Sequence, residues 1–229
     1  MTAPNITHDE LSIVLIGRFN PAIFHPVWIY DQGLIQDPPE PQGEELVEMA
    51  EKAVKIVHGE LTKVKLGWLQ LEVLLPKFIA LTTNTSAREP LRDFVKGVLM
   101  ILRHTPVYQM GINRQIRYGG VSEKEWHAIG HALTPKWIWE KTLKTPGMMS
   151  LKIKAVRTDD LKGDENVTIS SSVDGKTGDL GVIFEMNSHI DLEKDAGTAG
   201  VITILETHYA NIMDNSRHIA DTTINEALQ

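Results

Sequence analysis

His127 and His131 stand four residues apart, a spacing that on a helix puts both imidazoles on one face, as two zinc ligands require. A zinc protease would also set a glutamate directly after the first histidine, and Ala128 occupies that place. With Trp126 and Ile129 beside it, the pair reads equally as packed or solvated. A second constellation is Glu185, Asn187, His189 and Asp191, which alternate with Phe184 and Met186 and so share one face of an extended chain. At strand rise Glu185 and Asp191 lie roughly 20 Å apart, too far for one ion, while His189 and Asp191 lie about 7 Å apart. Those two are the candidates for a metal-dependent hydrolase or nuclease, with Glu185 as a separate base. Asn113 and Arg117 form a comparable stripe on another segment. If the two stripes face each other, Asn113, Arg117 and Asn187 line a ligand or partner cleft. A half-exposed antiparallel strand produces the same alternation with no chemistry attached.

Other constellations carry less. Arg217 and Asp221, four apart, fit an intrahelical ion pair, and His208 and His218 fit a solvated helix face. Lys136, Lys141 and Lys144 surround Trp137 and Trp139, a basic aromatic segment suited to a nucleic-acid backbone or an anionic partner. Lysines around tryptophans that anchor a helix make the same pattern. No GxGxxG, GxxxxGK[ST] or GxSxG motif and no kinase signature occurs.

The elements that position these residues follow from periodicity. Leu11 to Phe19 is apolar and branched, which predicts a strand buried on both faces. Pro21 and Pro26 disfavour a long helix after it, and Asp37 to Pro41 reads as a stiff loop. Glu44 to Val57 reads as a helix ended by His58 and Gly59. From Leu61 the period is two, broken at Pro76 and resumed from Phe78 to Thr82. Ser86 with Glu89 predicts a capped helix carrying Leu91, Phe94, Val95 and Val98, and Val107 to Tyr118 alternates again. The order strand, helix, strand, strand, helix, strand is the βαββαβ order of ferredoxin-like domains.

The second half reads as a helix capped by Ser122, with Trp126, Ile129, Leu133, Trp137 and Ile138 buried and a break at Pro135. A three-stranded antiparallel meander and a long C-terminal helix over Gly200 to Leu228 follow. The prediction is an α+β chain, with a ferredoxin-like unit over 1–119 and the helix, meander and terminal helix over 120–229. The two sheet-bearing halves are expected to press together face to face.

Composition bounds the rest. With 229 residues, 42% hydrophobic and 23% charged, the chain can bury a sizeable core. No cysteine means no disulfide, thiolate metal site or cysteine nucleophile. The polar start MTAPNITHDE lacks a signal-peptide pattern and no apolar run spans a bilayer, so the expectation is a cytoplasmic protein away from membranes. A net charge of -7 weighs against nonspecific nucleic-acid binding.

Phe19-Asn20-Pro21, the strand YQMGINRQIRY and the His-containing segment ETHYANIMDNSRHIADTTINEAL resemble a sporadically distributed, uncharacterised family of two-part bacterial α+β proteins. Where members keep an unbroken LRYIN element, this chain reads MGINR. The resemblance implies an accessory role, as in mobile elements or phage defence, and carries no activity. With five tryptophans and eight methionines and no catalytic signature, the residues point to a noncatalytic protein-binding or assembly protein. It would use a sheet edge or the C-terminal helix to meet itself or another chain. No cofactor is predicted beyond the divalent metal that the histidines allow, and the alternatives are the metal-dependent hydrolase and a nucleic-acid-binding protein.

Overall fold

Branched residues alternating along Asn5–Gly17 make the central strand β1, and their alternation decides which side of the sheet is sealed. Leu11, Ile13 and Leu15 are fully buried, whereas Ser12, Val14 and Ile16 on the opposite face are only half-buried. The expected burial on both faces is therefore met on one. The computed structural model describes residues 5–35, 54–175 and 177–229. Its further strands are β2 (Val54–Val57), β3 (Leu61–Leu66), β4 (Leu69–Leu74), β5 (Lys77–Thr82), β6 (Val107–Gly119), β7 (Ser150–Val156), β8 (Gly163–Val173) and β9 (Leu180–Asp191). They form one nine-stranded sheet in the order β2-β3-β4-β5-β1-β6-β9-β8-β7. Every ladder is antiparallel, and with its helices the chain is α+β.

Several expectations change. The loop Asp37 to Pro41 and positions 44–53 of the expected first helix lie outside the described residues. The end of that helix, Val54–Val57, is β2, because Val54, Ile56 and Val57 suit a strand beside β3. His58 and Gly59 then belong to a hairpin turn closed by mutual hydrogen bonds of His58 and Leu61. A turn at Gly67, whose φ is +51°, divides the next extended stretch into β3 and β4. The first half therefore holds more strands than the six-element order. The proline-rich step after β1 forms a short helix α1 (Pro26–Asp31), with His25 accepting from the Val27 N–H and Pro26 where a helix tolerates it.

Helix α2 (Arg88–Ile101) follows a turn capped by Asn84, whose side chain accepts from Ser86 N–H. Ser86 is therefore not the cap, and Glu89 pairs with Arg92 instead of reaching back. Helix α3 (Glu123–Leu133) does carry the expected capping box: Ser122 Oγ accepts from Glu125 N–H, and Glu125 accepts from Ser122 N–H at 2.9 Å. The Ser122 hydroxyl, at 2.7 Å, and the Ser122 N–H both donate to the Glu125 carboxylate and hold it below its ordinary pKa. The expected single terminal helix bends at His208 into α4 (Gly197–Thr207) and α5 (Tyr209–Ala227).

The halves do not press face to face. β6 pairs with β9 continuously from Gln109↔Asp191 to Gly119↔Gly181, so they join edge to edge in one sheet. The buried stripes of α2, α4 and α5 share two apolar clusters with the Leu11, Ile13, Leu15 face. One cluster holds Ile112 and the other Ile116. Between them on the same face stands Arg114, bonded bidentately to Asp9 at 2.9 and 2.7 Å and donating to the Met213 carbonyl at 3.1 Å. Both side chains are at most 10% exposed. Breaking such a pair leaves an unanswered charge inside the protein. Arg114→Ala is expected to cost about 3–5 kcal/mol. By contrast, Lys63→Ala, which removes the exposed Lys63–Glu72 bridge, should stay within about 1 kcal/mol in the same urea titrations.

Candidate functional site

From Gln109 onward the odd-numbered side chains of β6, and those of β9, emerge on the sheet face opposite the apolar clusters. There the two stripes read from the sequence lie side by side rather than across a gap. Asn113 and Asn187 are register partners, and so are Gln115 and Glu185, and Gln109 and Asp191. Asn187 Nδ2 donates to Asn113 Oδ1, and Asn113 Nδ2 donates to Ser12 Oγ at 3.3 Å. The row continues to Asn166 and Lys154 on β8 and β7. Gly111 makes room for it, since a Cβ there would sit 3.0 Å from Asn187 Nδ2. Gln115 donates to Glu185 at 3.0 Å and Gln109 to Asp191 at 2.9 Å. The result is a shallow polar depression of about 330 Å³ lined by Glu10, Ser12, Asn113, Gln115, Glu185 and Asn187 among others.

Arg117 does not line it. Its guanidinium turns to the β8–β9 connection, contacting Asp179 Oδ2 at 3.1 Å, the Asp179 carbonyl at 2.9 Å and Ser172 Oγ at 2.9 Å. Gly181 permits that packing, because a Cβ there would lie 3.0 Å from the guanidinium carbon.

His189 and Asp191 do meet, with Nε2 and Oδ1 3.2 Å apart. The register partner of His189, Asp164, is held by Lys154 at 2.7 Å. Glu185 lies farther along the strand, exposed and bonded to Gln115. Among the described residues no group of three or more His, Asp or Glu is placed to hold a metal ion. His127 sits 3.8 Å from Glu123 and edge-on to the Trp126 ring. It shares with His131 the wall of a separate cavity of about 320 Å³ between α3 and the segment that follows it. Trp126 fastens that side of α3 to the sheet by donating to the Gly181 carbonyl at 3.1 Å. Trp137 and Ile138, expected in the core, are exposed, because Pro135 ends the helix and turns their segment outward.

A cluster of one buried arginine and two carboxyls is a feature that periodicity does not reveal. The Arg157 side chain, 2% exposed, pairs with Asp159 and with Glu165 at 2.8 Å, and Ser188 Oγ donates to Glu165 at 2.6 Å. Burial pushes the Glu165 carboxyl above its ordinary pKa, whereas the hydrogen bond from Arg157 holds Asp159 below its own. The only sequence signal is a lone arginine just ahead of an acidic turn. The cluster locks the β7–β8 connection to the base of β9, behind His189.

No protein-family model and no curated protein matches this chain.

The two carboxyls of the cluster respond to pH in opposite senses. Asp159 stabilises the fold fully above the ordinary aspartate range, and that contribution is lost as pH falls through its lowered value. Glu165 favours the fold at low pH, and that contribution is lost as pH rises through its raised value. Asp159→Asn should therefore cost about 1–3 kcal/mol at neutral pH. Its difference from the parent should close as pH falls below the aspartate range, read by thermal unfolding across a pH series.

Proposed function

We propose that this chain is a noncatalytic protein-binding module that takes an extended, acidic segment of a partner along the outer edge of β7. The observation that carries this reading is the exposure at that edge. Among the described residues β7 ends the sheet and pairs only with β8, so no described strand lies beside its other row of backbone donors and acceptors. Apolar side chains surround it in the open: Met149 and Val156 are each 84% exposed, and Ile138, Leu143 and Ile153 are exposed as well. An extended peptide completes such an edge with main-chain hydrogen bonds and is selected by its alternate side chains.

Charge selects the partner. Lys141, Lys144, Lys152 and Lys154, the last also meeting Asp164 of β8, fall within one stretch, residues 141–154, that contains no acid, in a chain whose net charge is -7. An acidic strand is attracted there, whereas a second copy is not. Two β7 strands paired antiparallel about Ile153 set Lys152 against Lys154 of the other chain, the arrangement by which edges resist self-association. The C-terminal helix is a weaker docking surface, because Tyr209, Ile212, Met213, Ala220 and Ile224 already face the sheet. Nucleic acid would stack on Trp137 and Trp139 and use the lysines, yet leave the aliphatic edge uncovered. His189 with Asp191 offers a metal only two side chains.

The test uses synthetic ten-residue peptides alternating valine with glutamate or with lysine, and single-stranded DNA of matched charge. The glutamate peptide should bind and the lysine peptide should not. Ile153→Asp combined with Val156→Asp should weaken binding about tenfold or more, as removal of central apolar anchors does. Light scattering should report a monomer across concentration. Preference for DNA with steep salt dependence, or a dimer abolished by the same double substitution, would replace this reading with the corresponding alternative.

A further inference from the structure

The cavity between α3 and residues 134–149 carries an unpaired lysine in its wall. Lys136 is only 9% exposed, yet no ion pair or hydrogen bond of its ammonium group is found among the described residues. The stem is what is covered: the ammonium is not among the buried atoms left without a partner, so it stays open to solvent in the cavity wall, where a negative charge can meet it. Glu140, one helical turn on and in the same cavity wall, does not pair with it. His127 and His131 stand in that wall, each able to donate one hydrogen bond. The apolar part is Trp126, Ile129, Met148 and Val182.

Two further features lie at the same place. A second cavity of about 260 Å³ shares Lys136, Pro146, Gly147 and Met148 with the first, so the lysine stands where two lobes meet. Thr134 lines that second lobe, and its hydroxyl oxygen is buried with no hydrogen-bond partner. Thr145 in the first lobe has φ +50°, a left-handed conformation that a β-branched residue adopts only under constraint.

We infer that this cavity is a binding site for a small organic monocarboxylate with an apolar body, its carboxylate on Lys136 and its body on Trp126, Ile129 and Met148. One fixed positive charge answers one negative charge. A phosphate dianion would need more, and the second half of α3, which lines the cavity, presents the negative end of its dipole. The two imidazoles in the wall can orient the carboxylate by hydrogen bonding. About 320 Å³ accommodates an aromatic ring or a medium-length alkyl chain.

The full chain is titrated with phenylpropionate, octanoate and inorganic phosphate, followed by tryptophan fluorescence and by the shift in Tm. Saturable binding of a carboxylate with a rise in Tm is expected, with phosphate inert; the two carboxylates distinguish an aromatic body from an alkyl one. Lys136→Met keeps the buried stem and removes the charge, and should weaken binding about tenfold or more, whereas Lys136→Arg should retain it. Gly130→Leu projects into the cavity from α3 without altering any charge and should abolish binding. It decides the matter if Lys136→Met fails to fold. No saturable carboxylate binding by the parent, unchanged affinity in folded Lys136→Met or in Gly130→Leu, or tighter binding of phosphate would each overturn the assignment. Partner docking at β7 is a separate event, so the Ile153→Asp, Val156→Asp protein should still bind the carboxylate.

Discussion

A guanidinium placed on the apolar face of the central sheet has to be answered from inside the protein, and Asp9 answers Arg114. The two are brought together by β1 extending past its greasy core, from Leu11 back to Asn5, alongside the full length of β6. Met213 in α5 contributes its carbonyl to the same arginine, so the helix is tied to the pair as well. An apolar pair in the same place could match or exceed its stabilisation, but a bidentate contact demands one geometry. Any slip of β1 against β6 by one residue would turn Asp9 to the wrong face and leave Arg114 unpaired.

That register determines what the opposite face displays. With β6 held between β1 and β9, its odd-numbered side chains line up with Ser12 on one side and with Asn187 and Glu185 on the other. The polar row is therefore a consequence of the buried pair on the other side of the sheet. Its members largely satisfy one another: asparagine with asparagine, glutamine with glutamate, histidine with aspartate. A surface whose donors and acceptors are already matched has little left to offer a reacting group, and its depression is shallow. The buried side-chain atoms left without a partner among the described residues lie elsewhere, at Arg88 Nε and Thr134 Oγ.

The same end of the molecule collects the exposed apolar side chains and the lysines. Pro135 stops α3 before its tryptophans can fold under it, and the segment up to Met149 then runs to the last strand of the sheet. Of the described β7 side chains, Leu151 alone packs on an apolar cluster. Arg157 and its two carboxylates anchor the strand's far end, so the edge is held firmly although it is largely exposed.

Local chemistry was legible in the sequence. The capping box at Ser122, the break at Pro135, the Arg217–Asp221 pair, the alternation of β6 and β9 and the three strands of the meander all depend on neighbours a few residues away. Ser86 was misread because Asn84, two residues earlier, takes the capping role with a turn of its own. The end of the expected first helix differs because three branched residues, Val54, Ile56 and Val57, serve either state until a neighbouring strand selects one. What only the tertiary structure decided is which strands are neighbours and in what register. From that follow the single continuous sheet in place of two facing ones, the Asp9 partner of Arg114, the diversion of Arg117 to Asp179, and the covering of the Lys136 stem. Periodicity records which side of a strand is apolar, but pairing between segments a hundred residues apart is chosen by the fit of whole faces, and no window of sequence contains both.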